Sequence, residues 1–219
     1  MKSITSRDNP AYKAMHRLVS KSGERKASGM SVLDGAHLLA AFLDSGRTPA
    51  EVLVNGAGAE DPEVAELVRR SAPAPVTQLS DALFKSLSTV DSPTGVIASV
   101  RTPEPGAVPA DAPLVLLLEN IQDPGNVGTL LRSAAAAGAG HVLLSPTCAF
   151  AWSPKVLRAA MGAHFALNIL EGADLGVAGG VDRKIAGAPA VDVVRRDGGI
   201  NVPLGLGFFG YGGQRNAHH

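Results

Sequence analysis

The chain's densest polar chemistry lies in one stretch, Glu119-Asn120-Ile121-Gln122-Asp123-Pro124-Gly125-Asn126-Val127-Gly128-Thr129-Leu130-Leu131-Arg132. An apolar run ends in a polar loop, turns at Pro124-Gly125 and passes into a helix at Asn126. In open α/β sheets, ligands bind at the carboxyl ends of strands, where this loop sits. The helix N-terminus offers N–H groups to an anion such as phosphate. Arg132, six residues after Asn126, brings a guanidinium to a helix face near the loop. The same residues also fit an ordinary strand–turn–helix, with Asn126 as N-cap and Arg132 in a surface ion pair. A second segment, Ser153-Pro154-Lys155-Val156-Leu157-Arg158-Ala159-Ala160-Met161-Gly162-Ala163, puts Lys155 and Arg158 on one helix face. Its small residues admit a close neighbouring backbone. The plainer reading is a helix with an exposed basic edge and a packed small face.

Those residues need a scaffold, and the pattern supplies two α/β blocks. In the first, Asn9-Pro10 opens a helix over 11–20. Strands are predicted at 30–33, 52–54, 76–79 and 96–100. Helices are predicted at 36–45, 62–70 and 80–86, the last capped by Ser80. Residues 101–113 carry four prolines in thirteen positions and read as a semi-rigid linker. The second block has a continuous apolar strand at 114–118, of the parallel type. A helix over 127–137 follows, then strands at 141–144 and 165–170 around a helix from 154 to about 161. After Gly172 the pattern fades, save for a late strand over 204–209. The expected domains are thus 1–100, the linker 101–113, and 114–219.

Composition narrows the class. The chain has 219 residues, 45% hydrophobic, which is enough for a core. One cysteine excludes a disulfide scaffold and a cysteine-rich zinc site, so no metal is expected. Cys148 itself reads as a small core or loop residue. The apolar runs are too short for a bilayer, and the polar N-terminus lacks a signal-peptide core, so a cytoplasmic protein with no membrane partner is expected. Lys+Arg and Asp+Glu balance at 20 each, unlike the basic balance usual in nucleic-acid binders. The balance is uneven, however. Residues 1–30 hold seven basic side chains and two acidic ones, so a zero total can hide a basic face.

Taken together, the two segments resemble the first two motifs of the SpoU family of RNA 2'-O-ribose methyltransferases, the TrmH-like branch of the SPOUT superfamily. The pattern is E-N-I-Q-D-P-x-N-x-G-x-x-x-R-[ST]-A, then S-P-K-x-x-R-A-x-M-G-A some twenty residues on. The stretches I-T-S-R-D-N-P-A-Y-K (4–13) and L-D-G-A-H-L-L (33–39) are similar to the opening of the family's substrate-binding domain. The resemblance implies methyl transfer from S-adenosylmethionine to a ribose 2'-hydroxyl of tRNA or rRNA, by a homodimer. It implies an L30e-like α/β N-terminal domain and a parallel-sheet α/β catalytic domain with a trefoil knot. Arg132 falls on the motif-1 arginine that helps activate the hydroxyl, and Asn126 on the asparagine that orients it. Lys155 and Arg158 fall in the motif-2 helix and are expected to meet RNA, with Gly162 beside the cofactor. Arg7, Asn9, Lys13 and Arg25 are expected to grip RNA phosphates.

The third motif departs from the family. Its usual G-N-E-G-x-G, I-P-M and S-L-N-V supply most of the cofactor pocket and thread the knot. Here only Gly210 matches, and Tyr211 and Gly212 stand where Asn and Glu are expected. The sequence therefore reads as a catalytic domain that stops short of its cofactor site. The alternative is an inactive RNA-binding remnant. The G-x-G-x-x-G at 205–210 lacks the following helix and acid of a dinucleotide fingerprint and is discounted.

Overall fold

The computed structural model describes residues 2–90, 92–109 and 112–175, with the backbone of Val191–Arg195 and Ile200–Asn201. Chain order runs β1 (Lys2–Ile4), α1 (Pro10–Ser20), α2 (Ser22–Ser28), β2 (Met30–Asp34), α3 (Ala36–Asp44), β3 (Glu51–Val54), α4 (Gly56–Glu60), α5 (Pro62–Arg70), β4 (Val76–Leu79), α6 (Asp81–Leu87) and β5 (Val96–Arg101). These strands make one mixed sheet in the order β1-β4-β3-β5-β2. After an irregular proline-rich stretch come β6 (Val115–Glu119), α7 (Pro124–Ala136), β7 (His141–Leu144), α8 (Pro154–Ala160), a 3-10 turn over Ala163–Ala166, β8 (Asn168–Glu171), β9 (Val191–Arg195) and β10 (Ile200–Asn201). The second sheet has the order β10-β9-β6-β7-β8. Four of its strands run parallel, and β10 pairs antiparallel with β9. The expected mixed α/β architecture with a parallel-sheet second block is what forms.

The chain winds from β6 outward through β7 to β8, then returns to pair β9 on the other side of β6. That reversal makes the carboxyl end of β6 a topological switch point, where open α/β sheets hold ligands. The motif-1 loop begins there.

Helices start where the caps say. Asn9 Oδ1 accepts the Ala11 N–H at 2.9 Å, and Pro10 sits at the first helical position. Ser153 caps α8 through the Val156 N–H. Two caps differ from expectation. Ser80 precedes α6 but its hydroxyl makes no capping bond. Asn126 does not cap α7: that helix begins at Pro124, three residues before the expected start at 127, and Asp123 Oδ1 accepts the Asn126 N–H at 2.8 Å. Proline's fixed φ suits the first helical position, which shifts the start upstream.

The predicted strand over 165–170 shortens to β8 because Met161 and Gly162 are both left-handed, with φ of 52° and 85°. The chain turns back there, and Phe165 packs edge-on against Phe42, with ring centroids 5.3 Å apart. Sequence periodicity missed α2, whose only buried residue is Arg25, and β1, where only Ile4 is buried. It also missed β9. The late strand over 204–209 and the segment expected to thread the knot lie outside the described residues.

The first sheet is covered on both faces. Tyr12, Met15, Leu83 and Phe84 of α1 and α6 pack on one face, against Val32, Leu53, Leu79 and Ile97. Leu39, Phe42, Val64 and Leu67 of α3 and α5 pack on the other. This second core runs on without a break into the second sheet, through Trp152, Val156, Leu157 and Ala160 to Leu116, Leu118 and Val142.

Candidate active site and RNA interface

The site is built from two loops at the carboxyl edge of the second sheet. The loop after β6 is held by the loop after β7. Asn120 N–H donates to Ser145 Oγ at 3.1 Å, and Ile121 N–H to Cys148 Sγ at 3.4 Å. Cys148 Sγ donates to the Leu118 carbonyl at 3.2 Å, and Ala149 N–H to the Ile121 carbonyl at 2.8 Å. Asn120 stands at φ 56°, a left-handed conformation that asparagine tolerates better than most residues. Its Oδ1 accepts from Gln122 Nε2 at 3.1 Å. A non-glycine in this conformation beside a switch point marks a loop whose shape is imposed by its surroundings. Ser145 and Cys148 were not among the residues expected here. Their only sequence signal is their position just after a strand.

Motif 1 and motif 2 meet directly. A Cβ on Gly128 would lie 2.8 Å from the Val156 carbonyl oxygen and 2.9 Å from the Ala160 nitrogen. Glycine at 128 thus lets α7 and α8 touch backbone to backbone, and Ala159 and Ala160 are the small residues on the facing side. Arg132 follows Gly128 by four residues, so it borders this seam. It is exposed, and no ion pair or hydrogen bond engages it among the described residues. Helical side chains lean toward the N-terminus, which inclines its guanidinium back toward the motif-1 loop. Asn126 is exposed as well. Six residues of helix put it about 120° round the axis from Arg132, so the two do not share a face. The N-terminus of α7 is also less open to an outside anion than expected, because the Asp123 carboxylate already takes the Asn126 N–H.

The N-terminal basic face is real but differently composed. Arg7, Lys13 and Arg17 are exposed and, with Tyr12, His16 and Ser86, line a hollow of about 350 Å3 on α1. Lys13 pairs with Asp8 at 2.8 Å and holds that carboxyl below its usual range. Asn9 spends its Oδ1 on the α1 cap, leaving only the amide nitrogen for a ligand. Arg25 does not belong to this face. It is 6% exposed, and its Nη1 donates to the carbonyls of Leu18 and, at 2.9 Å, Val19. A cation at a helix C-terminus satisfies orphan carbonyls and opposes the dipole. Burial lowers the affinity of this guanidinium for its proton, but arginine stays charged.

Three further expectations change. Arg158 is turned to Thr89 in the first block, donating from Nη1 to its carbonyl at 3.1 Å and its Oγ1 at 2.9 Å, so it is not free for RNA. Gly162 faces Ala41, where a Cβ would meet the Ala41 Cβ at 2.6 Å. It is a packing glycine in a left-handed turn. Gly210 lies outside the described residues. Lys155 is exposed on α8, as expected.

This fold is shared with solved RNA methyltransferase structures. The solved structure of an S-adenosylmethionine-bound rRNA methyltransferase from Sinorhizobium meliloti superposes with a TM-score of 0.66, at 24% identity, over 78% of this chain and 64% of that one. A family model described as the SpoU rRNA Methylase family matches residues 113–178, and one described as the MRM3-like substrate binding domain matches residues 9–98. The mitochondrial rRNA methyltransferase 3A of Danio rerio is 36% identical over 165 residues, 68% of this chain and 35% of that protein. The 23S rRNA (guanosine(2553)-2'-O)-methyltransferase RlmP of Bacillus subtilis is 31% identical over 170 residues, 78% of this chain and 65% of that protein. The chain belongs to the SpoU rRNA methylase family. It spans between about a third and two thirds of the length of these curated relatives.

Proposed function

We propose that the chain methylates a ribose 2'-hydroxyl of ribosomal RNA, with S-adenosylmethionine as donor and as a homodimer. The observation that carries this reading is the exposed Arg132 at the α7–α8 seam, without a partner among the described residues, beside a shaped loop at the sheet's switch point. Ribosomal RNA is preferred to tRNA because both curated relatives are named for rRNA. The donor is supported by family membership and by the cofactor-bound neighbour. S-adenosylmethionine supplies an electrophilic methyl group when bound. Of the two glycines expected to hold it, Gly162 packs on Ala41, and Gly210 lies outside the described residues.

The chain's own residues act on the RNA. A ribose hydroxyl is a poor nucleophile until its proton departs. Arg132 remains a cation, so it stabilises negative charge growing on the 2'-oxygen rather than taking the proton, which passes to an RNA phosphate oxygen or to solvent water. Arg7, Lys13 and Arg17 hold phosphates and set the strand's position without reading bases. Homodimer formation is taken from the family resemblance of the two motif segments.

Two measurements test this. Calorimetric titration with S-adenosylmethionine is expected to give saturable heat. Silence at millimolar ligand, with rRNA binding retained, would leave the RNA-binding remnant as the correct reading. Transfer of labelled methyl to an rRNA transcript, mapped to a ribose, then settles the chemistry.

A further inference from the structure

Arg158 sits in the motif-2 helix, yet its guanidinium leaves the second block and reaches the first. Nη1 donates to both the carbonyl and the hydroxyl oxygen of Thr89. Thr89 passes the connection on: its N–H donates to Asp34 Oδ2 at 2.6 Å and its Oγ1 to the same oxygen at 2.9 Å. Ser88 Oγ adds a third donor to Asp34 Oδ2 at 3.1 Å. Asp34 ends β2, a strand packed beside α8 and α1. A directed chain of hydrogen bonds thus runs from the motif-2 helix into the sheet that carries the basic α1 face.

The rest of the contact between the blocks is mostly apolar, with one longer hydrogen bond beside it, from His37 Nε2 to the Met161 carbonyl at 3.3 Å. Phe42 meets Phe165 edge to face, and Gly162 closes on Ala41. Apolar packing holds two surfaces together but is non-directional. Charge-assisted hydrogen bonds have fixed geometry. The apolar patch sets how closely the blocks approach, and the polar relay sets their rotation. Because α8 is also locked to α7 at Gly128, the rotation is transmitted to the helix that carries Arg132.

We propose that Arg158, through Thr89 and Asp34, is a positioning residue that fixes the angle between the RNA-gripping block and the motif-1 helix. It acts without touching RNA or cofactor. The proposal rests on the methyltransferase reading for its kinetic consequence, but its structural core does not.

The structural core is tested with spin labels at Glu63→Cys and Ala136→Cys, one exposed site in each block, in a Cys148→Ser background. The parent is expected to give one narrow interlabel distance. Arg158→Ala should broaden or displace it, and Arg158→Lys, which keeps the charge and a donor nitrogen but not the planar guanidinium, should restore part of it. An unchanged distribution in Arg158→Ala overturns the proposal, whether or not methyl transfer is found. The kinetic arm uses an rRNA transcript. Arg158→Ala should raise KM for RNA about tenfold, with kcat and S-adenosylmethionine affinity little changed, and should leave the salt slope of RNA binding unaltered. A slope smaller by about one would make Arg158 a phosphate contact instead. Loss of S-adenosylmethionine binding would make it a cofactor contact. Either result overturns the proposal. If Arg158→Ala fails to fold, Thr89→Val removes the shared hydroxyl alone and is held to the same outcomes.

Discussion

Two arginines in this chain look alike in sequence and behave in opposite ways. Arg132 stands exposed with no partner among the described residues, whereas Arg25 is buried under two helix carbonyls. Arg132→Ala should therefore lower methyl transfer by about a hundredfold or more, the scale of a lost charge-stabilising donor. Its unfolding midpoint should stay within the roughly 0.5 kcal/mol typical of surface changes. Arg25→Ala should do the reverse, weakening the fold through orphaned carbonyls while sparing the salt slope of RNA binding. His164 carries a pH prediction. Its Nε2 donates to the Ala151 carbonyl at 2.8 Å, and its buried Nδ1 has no partner among the described residues. Burial pushes its pKa from 6.5 down to about 4. In the native state the ring stays neutral while the unfolded chain takes up a proton, so between pH 6.5 and 4 the unfolded state binds more protons. Stability is full above that window and falls as pH drops through it, by on the order of 3 kcal/mol. Urea midpoints of the parent and His164→Gln across this range should diverge toward alkaline pH and converge in acid; parallel curves would show that His164 does not titrate this way.

At the scale of elements, local signals worked where each helix or strand carried its own punctuation. The α5 range, Pro62–Arg70, and the β4 range, Val76–Leu79, match expectation residue for residue, because a capping Asp61 and alternating burial mark them. Signals failed where neighbours decided the outcome. The buried residue of α2 is a charged one, so no apolar period betrays that helix. The start of α7 moved because Pro124 and Asp123 compete better for the helix start than Asn126. Asp123→Ala should accordingly cost about 1 kcal/mol in thermal stability, and Asn126→Ala much less. Gly128→Ala should cost more, about 1–3 kcal/mol or more, since its Cβ would press on the α8 backbone. If Gly128→Ala melts with the parent, the two helices are not held as closely as described.

For the molecule as a whole, charge is a matter of placement. The zero net charge is compatible with a basic α1 face of Arg7, Lys13 and Arg17. Binding of an rRNA transcript should weaken as salt rises from about 50 to 200 mM, and Arg7→Ala or Arg17→Ala should each reduce the log–log slope by about one. Salt-independent binding would remove phosphate contacts from the reading. The sequence by itself determined the α/β class, the two motif segments and the family they resemble. Alternation, caps and short motifs are local, and a linear reading can see them. Only the tertiary structure decided which polar groups are spent and which are free. Arg25 closes a helix, Arg158 joins the two blocks, Gly162 and Gly128 make room for neighbouring helices, and Arg132 remains uncommitted. A side chain's function depends on what surrounds it once the chain has folded, and those surroundings come from residues far away in sequence.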